Sequence, residues 1–201
     1  MVKIGVLVSG GGTNLQALID AENSGIIQHG KIVTVVSSKP SVYALERAEK
    51  AGIPAAVICK KDFADGAAYD KALCAHMQAA GVELIVLAGF LTILGDDILR
   101  VYKNRIINIH PSLIPSFCGD GFYGLKVHQA ALDYGVKVTG ATAHFVNEVT
   151  DGGKIILQKA VYIQPGDTAQ TLQKRVMEEA EWEILPKAVE LFCAGKLQNQ
   201  E

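Results

Sequence analysis

The first stretch of the chain, Val-Lys-Ile-Gly-Val-Leu-Val-Ser-Gly-Gly-Gly-Thr-Asn (residues 2–14), is typical of the opening of an α/β fold. An apolar run of strand length is followed by three glycines and then by a pattern with helical spacing. Glycines permit the positive φ of a tight turn and let a ligand approach the backbone. Because free N–H groups at a helix start favour an anion, this strand–turn–helix unit predicts a phosphate site.

Two known phosphate motifs do not fit the glycine turn. A P-loop needs Gly-Lys-Ser/Thr, and the turn contains no lysine. The dinucleotide fingerprint G-x-G-x-x-G would require its third glycine at Leu15. A plain tight turn between strand and helix is the simpler alternative, but the side-chain donors of Thr13, Asn14 and Gln16 favour anion binding.

Strand-length apolar runs alternate with helical patterns through the first hundred residues. The predicted strands are residues 2–9, 31–38, 55–59, 83–88 and 105–109, and the predicted helices are residues 14–24, 42–51, 67–80 and 96–102. This alternation is typical of a parallel sheet with helices on both faces, and the Val/Ile/Leu-rich strands agree with burial on both sides. The predicted fold class is therefore α/β, a Rossmann-like, mostly parallel sheet flanked by helices.

The pattern changes in the C-terminal half. After a loop rich in Pro, Gly and aromatic residues, the sequence predicts a helix at 125–134, two antiparallel strands at 140–146 and 154–164, and a long helix at 168–194 with a bend at Pro186.

We expect a single domain over residues 1–201. Residues 1–104 would form a nucleotide- and phosphate-binding half. Residues 105–201 would form a catalytic and folate-binding half, which includes the antiparallel extension.

Composition and charge set further expectations. The 201 residues, 49% hydrophobic and 20% charged, are typical of a soluble globular protein with a full core. A net charge of −2 gives no overall basic face, so nucleic acid is not an expected partner. The longest apolar run, residues 84–94, is too short to span a membrane. We expect small-molecule substrates, no membrane partner, a cytoplasmic location, and a monomer or homodimer.

Neither the four cysteines nor the five histidines show the spacing of metal ligands, so no metal is predicted. Since no secretory signal is visible, the cysteines are expected to be free thiols in a reducing cytosol.

Two short motifs predict chemistry at the end of the strand at 105–109. Asn108-Ile109-His110-Pro111-Ser112 places an amide and an imidazole together where open α/β sheets bind their ligands. The amide can donate to a developing oxyanion, and the imidazole can exchange a proton near neutral pH. Asp151, before two glycines, could orient and charge that imidazole. Each motif alone has a simpler interpretation: His110 could be a structural histidine, and Asp151 with its two glycines could be an ordinary turn. Together they predict acyl transfer.

With these motifs in place, the chain resembles the folate-dependent glycinamide ribonucleotide formyltransferases of purine synthesis. The resemblance runs from Lys3 to about Leu197. It is carried by five ordered blocks: SGGGTNLQ at 9–16, LAGFL at 87–91, NIHPSLIP at 108–115, HFV at 144–146 and TDGG at 150–153.

The resemblance implies transfer of the formyl group of the co-substrate 10-formyltetrahydrofolate to the amine of phosphoribosylglycinamide, without a metal. The products would be formylglycinamide ribonucleotide and tetrahydrofolate, on the route to IMP. It also implies that Asn108 hydrogen-bonds the formyl oxygen, that His110 is the proton donor and a partner of the oxyanion, and that Asp151 raises the pKa of His110.

The resemblance further implies which residues bind the two substrates. The nucleotide positions are Gly12, Thr13, Asn14, Leu15, Gln16 and a carboxylate in the last helix. That carboxylate is Glu181 if this sequence has one residue inserted after Arg175 relative to the family pattern. Glu179 is the competing choice. The folate positions are Leu91, Thr92, Ile93, Leu94, Asn108, Asn147, Glu148, Val149, Thr150 and Asp151.

Three features depart from the family pattern. Thr92 stands where an arginine is frequent, and Gly66 falls where some members carry a folate-contacting arginine. This leaves contacts to the folate's glutamate tail open, with Lys60 or Lys61 as substitutes. The loop at 117–124 is several residues longer than in many relatives, and we expect a mobile flap beside the nucleotide site.

Other side chains near these motifs have simpler interpretations. Cys118 is interpreted as a bystander thiol, and His128 and His144 as structural or orienting residues.

Three other functions share part of this sequence pattern. 10-Formyltetrahydrofolate hydrolase, the nearest alternative, would be expected to carry a further N-terminal regulatory domain. Methionyl-tRNA formyltransferase would be expected to carry a further C-terminal domain and a basic surface. A nucleotide-binding module without catalysis is disfavoured, because Asn108, His110 and Asp151 are all present.

Overall fold

A seven-stranded sheet forms the centre of the computed structural model, which describes residues 1–197. The strands are β1 (Val2–Val8), β2 (Gly30–Ser37), β3 (Ala55–Val57), β4 (Leu84–Leu87), β5 (Ile106–His110), β6 (Val138–Phe145) and β7 (Ile155–Tyr162). They lie in the order β3-β2-β1-β4-β5-β6-β7. Strands β1 to β5 are parallel, and β6 and β7 add as antiparallel neighbours. The predicted fold class, including the antiparallel extension, is confirmed.

Helices flank this sheet on both faces. They are α1 (Thr13–Asn23), α2 (Tyr43–Lys50), α3 (Gly66–Ala79), α4 (Asp96–Val101), α5 (Leu125–Tyr134), α6 (Ala169–Val176) and α7 (Trp182–Cys193). The short segment Lys60–Asp62 forms a 3-10 turn. Within residues 1–197, no helix combines the length and the apolar character needed to cross a lipid bilayer.

The predicted elements are present, with boundaries that differ by at most two residues, but the last helix is not continuous. A π-helical turn, Met177–Glu181, separates α6 from α7, and Pro186 lies inside α7. The interruption therefore falls one turn before the proline. A π turn holds one residue more than an α-helical turn, so a single extra residue in the helix is enough to produce it.

The two faces of the sheet carry separate hydrophobic clusters, and β5 contributes to both. Helices α1, α6 and α7 pack on the face that includes Ile107, while α3 and α4 pack on the face that includes Ile106. Since successive strand residues point to opposite faces, Asn108 and His110 project on the same face as Ile106. Over β5, the loop that contains Phe117 and the loop that contains Asp151 approach this face.

Candidate active site

The predicted catalytic residues lie on one face of β5 and β6. The side chains of Asn108 and His110 project from that face of β5. His144 lies on β6, directly opposite Asn108 in the antiparallel ladder. His110 and His144 are buried, whereas Asn108 is half-buried. The strand pairing therefore brings an amide and two imidazoles together at the carboxyl end of β5.

The chain turns sharply after His110, and Thr142 holds the turn in place. Thr142 lies opposite His110 in the ladder. Its hydroxyl donates to the Ser112 carbonyl at 2.6 Å and accepts from the Ile114 N–H at 3.1 Å. These bonds hold the backbone that follows His110 in place, which restricts the position of the His110 side chain.

Asp151 reaches the imidazoles from the loop between β6 and β7. One carboxylate oxygen lies 3.4 Å from His110 Nδ1, and the other lies 3.6 Å from His144 Nε2. Asp151 has a φ of 55°, in the left-handed region that Asp tolerates better than most residues. Gly153 is required nearby, because a Cβ there would stand 1.7 Å from the Phe145 carbonyl oxygen. The loop thus folds tightly back over the sheet face.

Charges in this cluster favour an ionised carboxylate. Burial alone would raise the pKa of Asp151, but the nearby imidazoles of His144 and His110, and the Gly119 N–H that donates to the carboxylate, lower it overall. Burial lowers the pKa of His110, against upward effects of the Phe117 carbonyl and of Asp151. Asp151 therefore acts on His110 in the predicted direction, although burial outweighs it in this state and the net pKa of His110 lies below its usual value.

The loop at 117–124, here called the flap, contacts the catalytic candidates directly. The Phe117 carbonyl accepts from His110 Nε2 at 2.9 Å, and the Gly119 N–H donates to Asp151 at 2.9 Å. Thr150 donates to Asp120 at 3.0 Å, which ties the flap to the Asp151 loop. In this state the flap accepts the hydrogen of His110 Nε2, so that hydrogen is not free to bond to a substrate.

The glycine turn has the conformation that its sequence predicts. Gly12 has a φ of 72° and stands at the start of α1, where no side chain caps the helix. A Cβ on Gly12 would lie 2.7 Å from the Ala44 Cβ, so glycine is needed for space as well as for conformation. The first N–H groups of α1 therefore have no side-chain cap and can bind an anion.

Sequence reasoning missed Arg47, the cation at this turn. Its Nε donates to the Gly11 carbonyl at 2.9 Å and its Nη1 donates to the Gln16 amide oxygen at 2.9 Å. It lies in α2, and no local pattern links that helix to the turn. Only the packing of α2 beside α1 brings the guanidinium there.

Glu181 and Asn14 meet although they are distant in sequence. Asn14 Nδ2 donates to Glu181 Oε2 at 2.7 Å, with Asn14 7% and Glu181 6% exposed. Burial raises the pKa of Glu181 to about 7, and the bond from Asn14 only partly opposes this. Glu179, by contrast, is exposed. The π turn accounts for the difference, because its additional residue sets Glu181 on the side of the helix that faces α1.

The residues expected to bind folate divide into exposed and buried positions. Leu91, Ile93 and Val149 are 55%, 72% and 64% exposed, which is unusual for large apolar side chains. Leu94 is buried in the cluster with α3 and α4, so its side chain belongs to the core. Thr92 is half-buried between these positions.

The other expected positions lie in loops or inside the protein. Asn147, Glu148 and Thr150 are exposed in the loop that carries Asp151, while Leu15 is buried in α1. Lys60 lies beside Gly66, with its Nζ 3.9 Å from the position that a Cβ at Gly66 would take.

Two cavities lie away from the catalytic cluster. One of about 560 Å³ opens beside the glycine turn and is lined by Thr13, Gln16 and Arg47, among others. The other, of about 760 Å³, lies at the amino ends of β1, β4 and β5 and includes Val2 and Arg105. Neither of these two cavities is lined by Asn108, His110 or Asp151. In the described part of the chain, no group of three or more His, Cys, Asp or Glu residues could hold a metal ion.

Comparison with known proteins identifies the family of this chain. The family model described as formyl transferase matches residues 2–189. Phosphoribosylglycinamide formyltransferase of Haemophilus influenzae is 42% identical over 201 residues, which are 100% of this chain and 92% of that protein. The crystal structure of glycinamide ribonucleotide transformylase 1 from Symbiobacterium toebii has a TM-score of 0.91 at 44% identity, covering 97% of this chain and 89% of that one.

Longer relatives contain a similar segment. The trifunctional purine biosynthetic protein adenosine-3 of Drosophila pseudoobscura pseudoobscura is 46% identical over 198 residues, which are 98% of this chain but only 14% of that protein. This chain therefore spans a small part of these multifunctional relatives and nearly all of the bacterial one. The chain belongs to the formyl transferase family and, within it, to the phosphoribosylglycinamide formyltransferases.

Proposed function

We propose that this protein transfers the formyl group of 10-formyltetrahydrofolate to the amine of phosphoribosylglycinamide, giving formylglycinamide ribonucleotide and tetrahydrofolate in purine synthesis. The observation that carries the proposal is the meeting of Asn108, His110 and Asp151 on one face of the sheet. An amide donor, an imidazole and a carboxylate are the groups that acyl transfer to an amine requires. The names of the bacterial relatives support the same reaction.

The nucleotide would bind at the start of α1. We place its phosphate over the uncapped N–H groups that follow Gly12, with Thr13 and Gln16 as further donors and Arg47 as the nearby cation. Glu181 would accept hydrogen bonds from the ribose hydroxyls, since its carboxylate is held beside the same turn. The amine of the substrate would then extend towards His110.

The folate would bind over the exposed apolar side chains. Leu91, Ile93 and Val149 offer a surface for a flat aromatic ring system, and the loop at 147–151 offers backbone groups for its polar edge. The co-substrate supplies the formyl group. The residues present therefore fit such a molecule. The two halves of the chain would also act together at the nucleotide site, because Asn14 lies before the expected division at residue 104 and Glu181 lies after it.

The catalytic residues would divide the chemistry as follows. Asn108 donates an N–H to the formyl oxygen and stabilises the negative charge that develops there as the amine adds to the carbon. His110 donates a proton from Nε2 to the departing nitrogen of the folate, and the Nε2 that this leaves unprotonated takes up the proton that the attacking amine releases. Asp151 stabilises the charged form of His110. Loss of an oxyanion donor costs about 10²–10³ in rate, and general acid catalysis contributes about 10²–10⁴.

The flap has to move for this chemistry to occur. His110 Nε2 carries one hydrogen, and the Phe117 carbonyl accepts it in this state. A substrate can receive that hydrogen only after the flap releases it.

Absorbance-followed conversion of 10-formyltetrahydrofolate, with and without phosphoribosylglycinamide, tests the proposal. Turnover that requires the nucleotide is expected. Equal turnover without it would identify a hydrolase, in which water replaces the amine, and the glycine turn would need another role.

A further inference from the structure

His144 lies close to two of the predicted catalytic residues, Asn108 and Asp151. Its side chain is 1% exposed and lies opposite Asn108 in the β5–β6 ladder. Its Nε2 lies 3.1 Å from Asn108 Nδ2 and 3.6 Å from an oxygen of Asp151. Its Nδ1 lies 2.8 Å from the carbonyl oxygen of Phe145. The ring is therefore fixed on both sides.

These contacts define where the ring carries its hydrogen. A backbone carbonyl can only accept, so Nδ1 of His144 is the protonated nitrogen in the contact with Phe145. A neutral ring then has its lone pair on Nε2. That lone pair accepts a hydrogen from the Asn108 amide nitrogen, which stands at hydrogen-bond distance.

The same bond fixes the orientation of the Asn108 amide. An amide nitrogen carries two hydrogens, and one is used in the bond to His144. The second hydrogen is then available to a substrate, because Asn108 is half-buried rather than fully buried. If Asn108 were turned over, its oxygen would face the His144 lone pair, and the two acceptors would repel each other.

We propose that His144 is a positioning residue, which as the neutral Nδ1–H tautomer holds the Asn108 amide so that its free N–H points at the formyl oxygen. This inference rests on the proposed function, since it assigns the partner that orients the oxyanion donor. His144 does not touch the substrate and acts through Asn108.

The proposal predicts a specific kinetic effect. Without the acceptor at Nε2, the Asn108 amide can turn and present an oxygen to the formyl oxygen. His144→Met should therefore lower kcat by about 10- to 100-fold, which is less than the loss of Asn108 itself. Both KM values should change by no more than about twofold, because substrate contacts remain. His144→Gln keeps an acceptor oxygen and should retain most of the activity.

A double-mutant comparison separates this role from a structural one. If His144 acts through Asn108, adding His144→Met to Asn108→Ala should cost little further activity. A full additional loss in the double variant would overturn the proposal. Non-additivity with Asp151→Asn instead would assign His144 to the carboxylate, and this too would overturn it.

The tautomer can be measured without any activity. Imidazole ¹⁵N chemical shifts of the wild-type protein near neutral pH should show a protonated Nδ1 and an unprotonated Nε2 for His144. A doubly protonated ring, or a ring protonated at Nε2 alone, would contradict the proposal. This measurement remains decisive if His144→Met does not fold, and it is independent of whether the wild-type protein proves to be a transferase.

Discussion

Asn14 donates a hydrogen bond to the carboxylate of Glu181 across 167 positions of sequence, and both side chains are buried beside the glycine turn. The bond joins the first helix to the π turn before the last one. A buried carboxylate whose pKa is raised to about 7 is costly to charge, which is why such groups frequently mark binding or catalytic sites.

Glu181→Gln should raise the KM for the nucleotide by about tenfold or more, since a hydrogen bond to a charged group contributes about 1.5–3 kcal/mol. Glu179→Gln is the matched control, because Glu179 is exposed in the same turn. In the wild type, the nucleotide KM should fall as the pH rises through about 7, where Glu181 becomes charged. The substrate phosphate also titrates near this pH, so the test is whether Glu181→Gln reduces the dependence. A larger effect from Glu179→Gln would assign the carboxylate role to Glu179.

Asp151→Asn should lower kcat by about a hundredfold or more and leave nucleotide binding nearly intact. The amide cannot stabilise a charged His110 as the carboxylate does, and general acid catalysis contributes about 10²–10⁴. Steady-state kinetics together with nucleotide titration would separate the two effects. Asp133→Asn, an exposed change on α5, serves as the control. Wild-type turnover in Asp151→Asn would remove Asp151 from the mechanism.

Deletion of Glu179 should be tolerated. The π turn holds one residue more than an α-helical turn, so removing an exposed residue from it should let α6 and α7 join as one continuous helix. Nucleotide KM and melting temperature should then stay close to wild type, because Glu181 keeps its place beside Asn14. Deletion of Gln129, an exposed residue of α5, should destabilise the protein, since α5 has no such turn. Equal damage from both deletions would show that the π turn does not absorb the extra residue.

Asp167→Asn should destabilise the protein by about 1–3 kcal/mol. Asp167 accepts two bonds from Arg175, at 2.6 and 2.7 Å, and one from the Gln164 N–H at 2.7 Å. The bonds from Arg175 hold the pKa of Asp167 far below its ordinary value.

For an acid with a lowered folded-state pKa, the stabilisation is present above the unfolded pKa of about 4 and is lost as the pH falls further. Denaturant unfolding from pH 7 down to pH 2 should show this decline in the wild type and a smaller one in Asp167→Asn. Parallel curves for the two proteins would contradict the assignment.

Much of the fold could be predicted because its signals are local. The apolar runs and glycines at 2–14 define β1, the turn and α1, and the alternation that follows defines a mostly parallel sheet. The motif at 108–112 and Asp151 indicated which side chains meet, because strand ends and glycine-rich loops collect at one edge of such a sheet. The roles of these residues stay predictions until the experiments above are done.

Contacts between distant segments could not be predicted in this way. The contact of Arg47 with the glycine turn and the hydrogen bond from Gly119 to Asp151 each depend on how one segment packs against another. The periodicity of apolar residues does not predict such a contact, because the contact depends on the paths of the loops and on how the elements are aligned with one another.

The sequence by itself determined the strands, the helices, the glycine turn and the identity of the catalytic candidates, since hydrophobic periodicity and turn chemistry act over a few neighbouring residues. Only the tertiary structure decided that His144 orients towards Asn108, that the flap covers His110, and that Glu181 rather than Glu179 reaches Asn14. The physical reason is that hydrogen bonds across 36 or 167 positions require a strand register and a helix rotation, and these are set by packing the whole chain around one sheet.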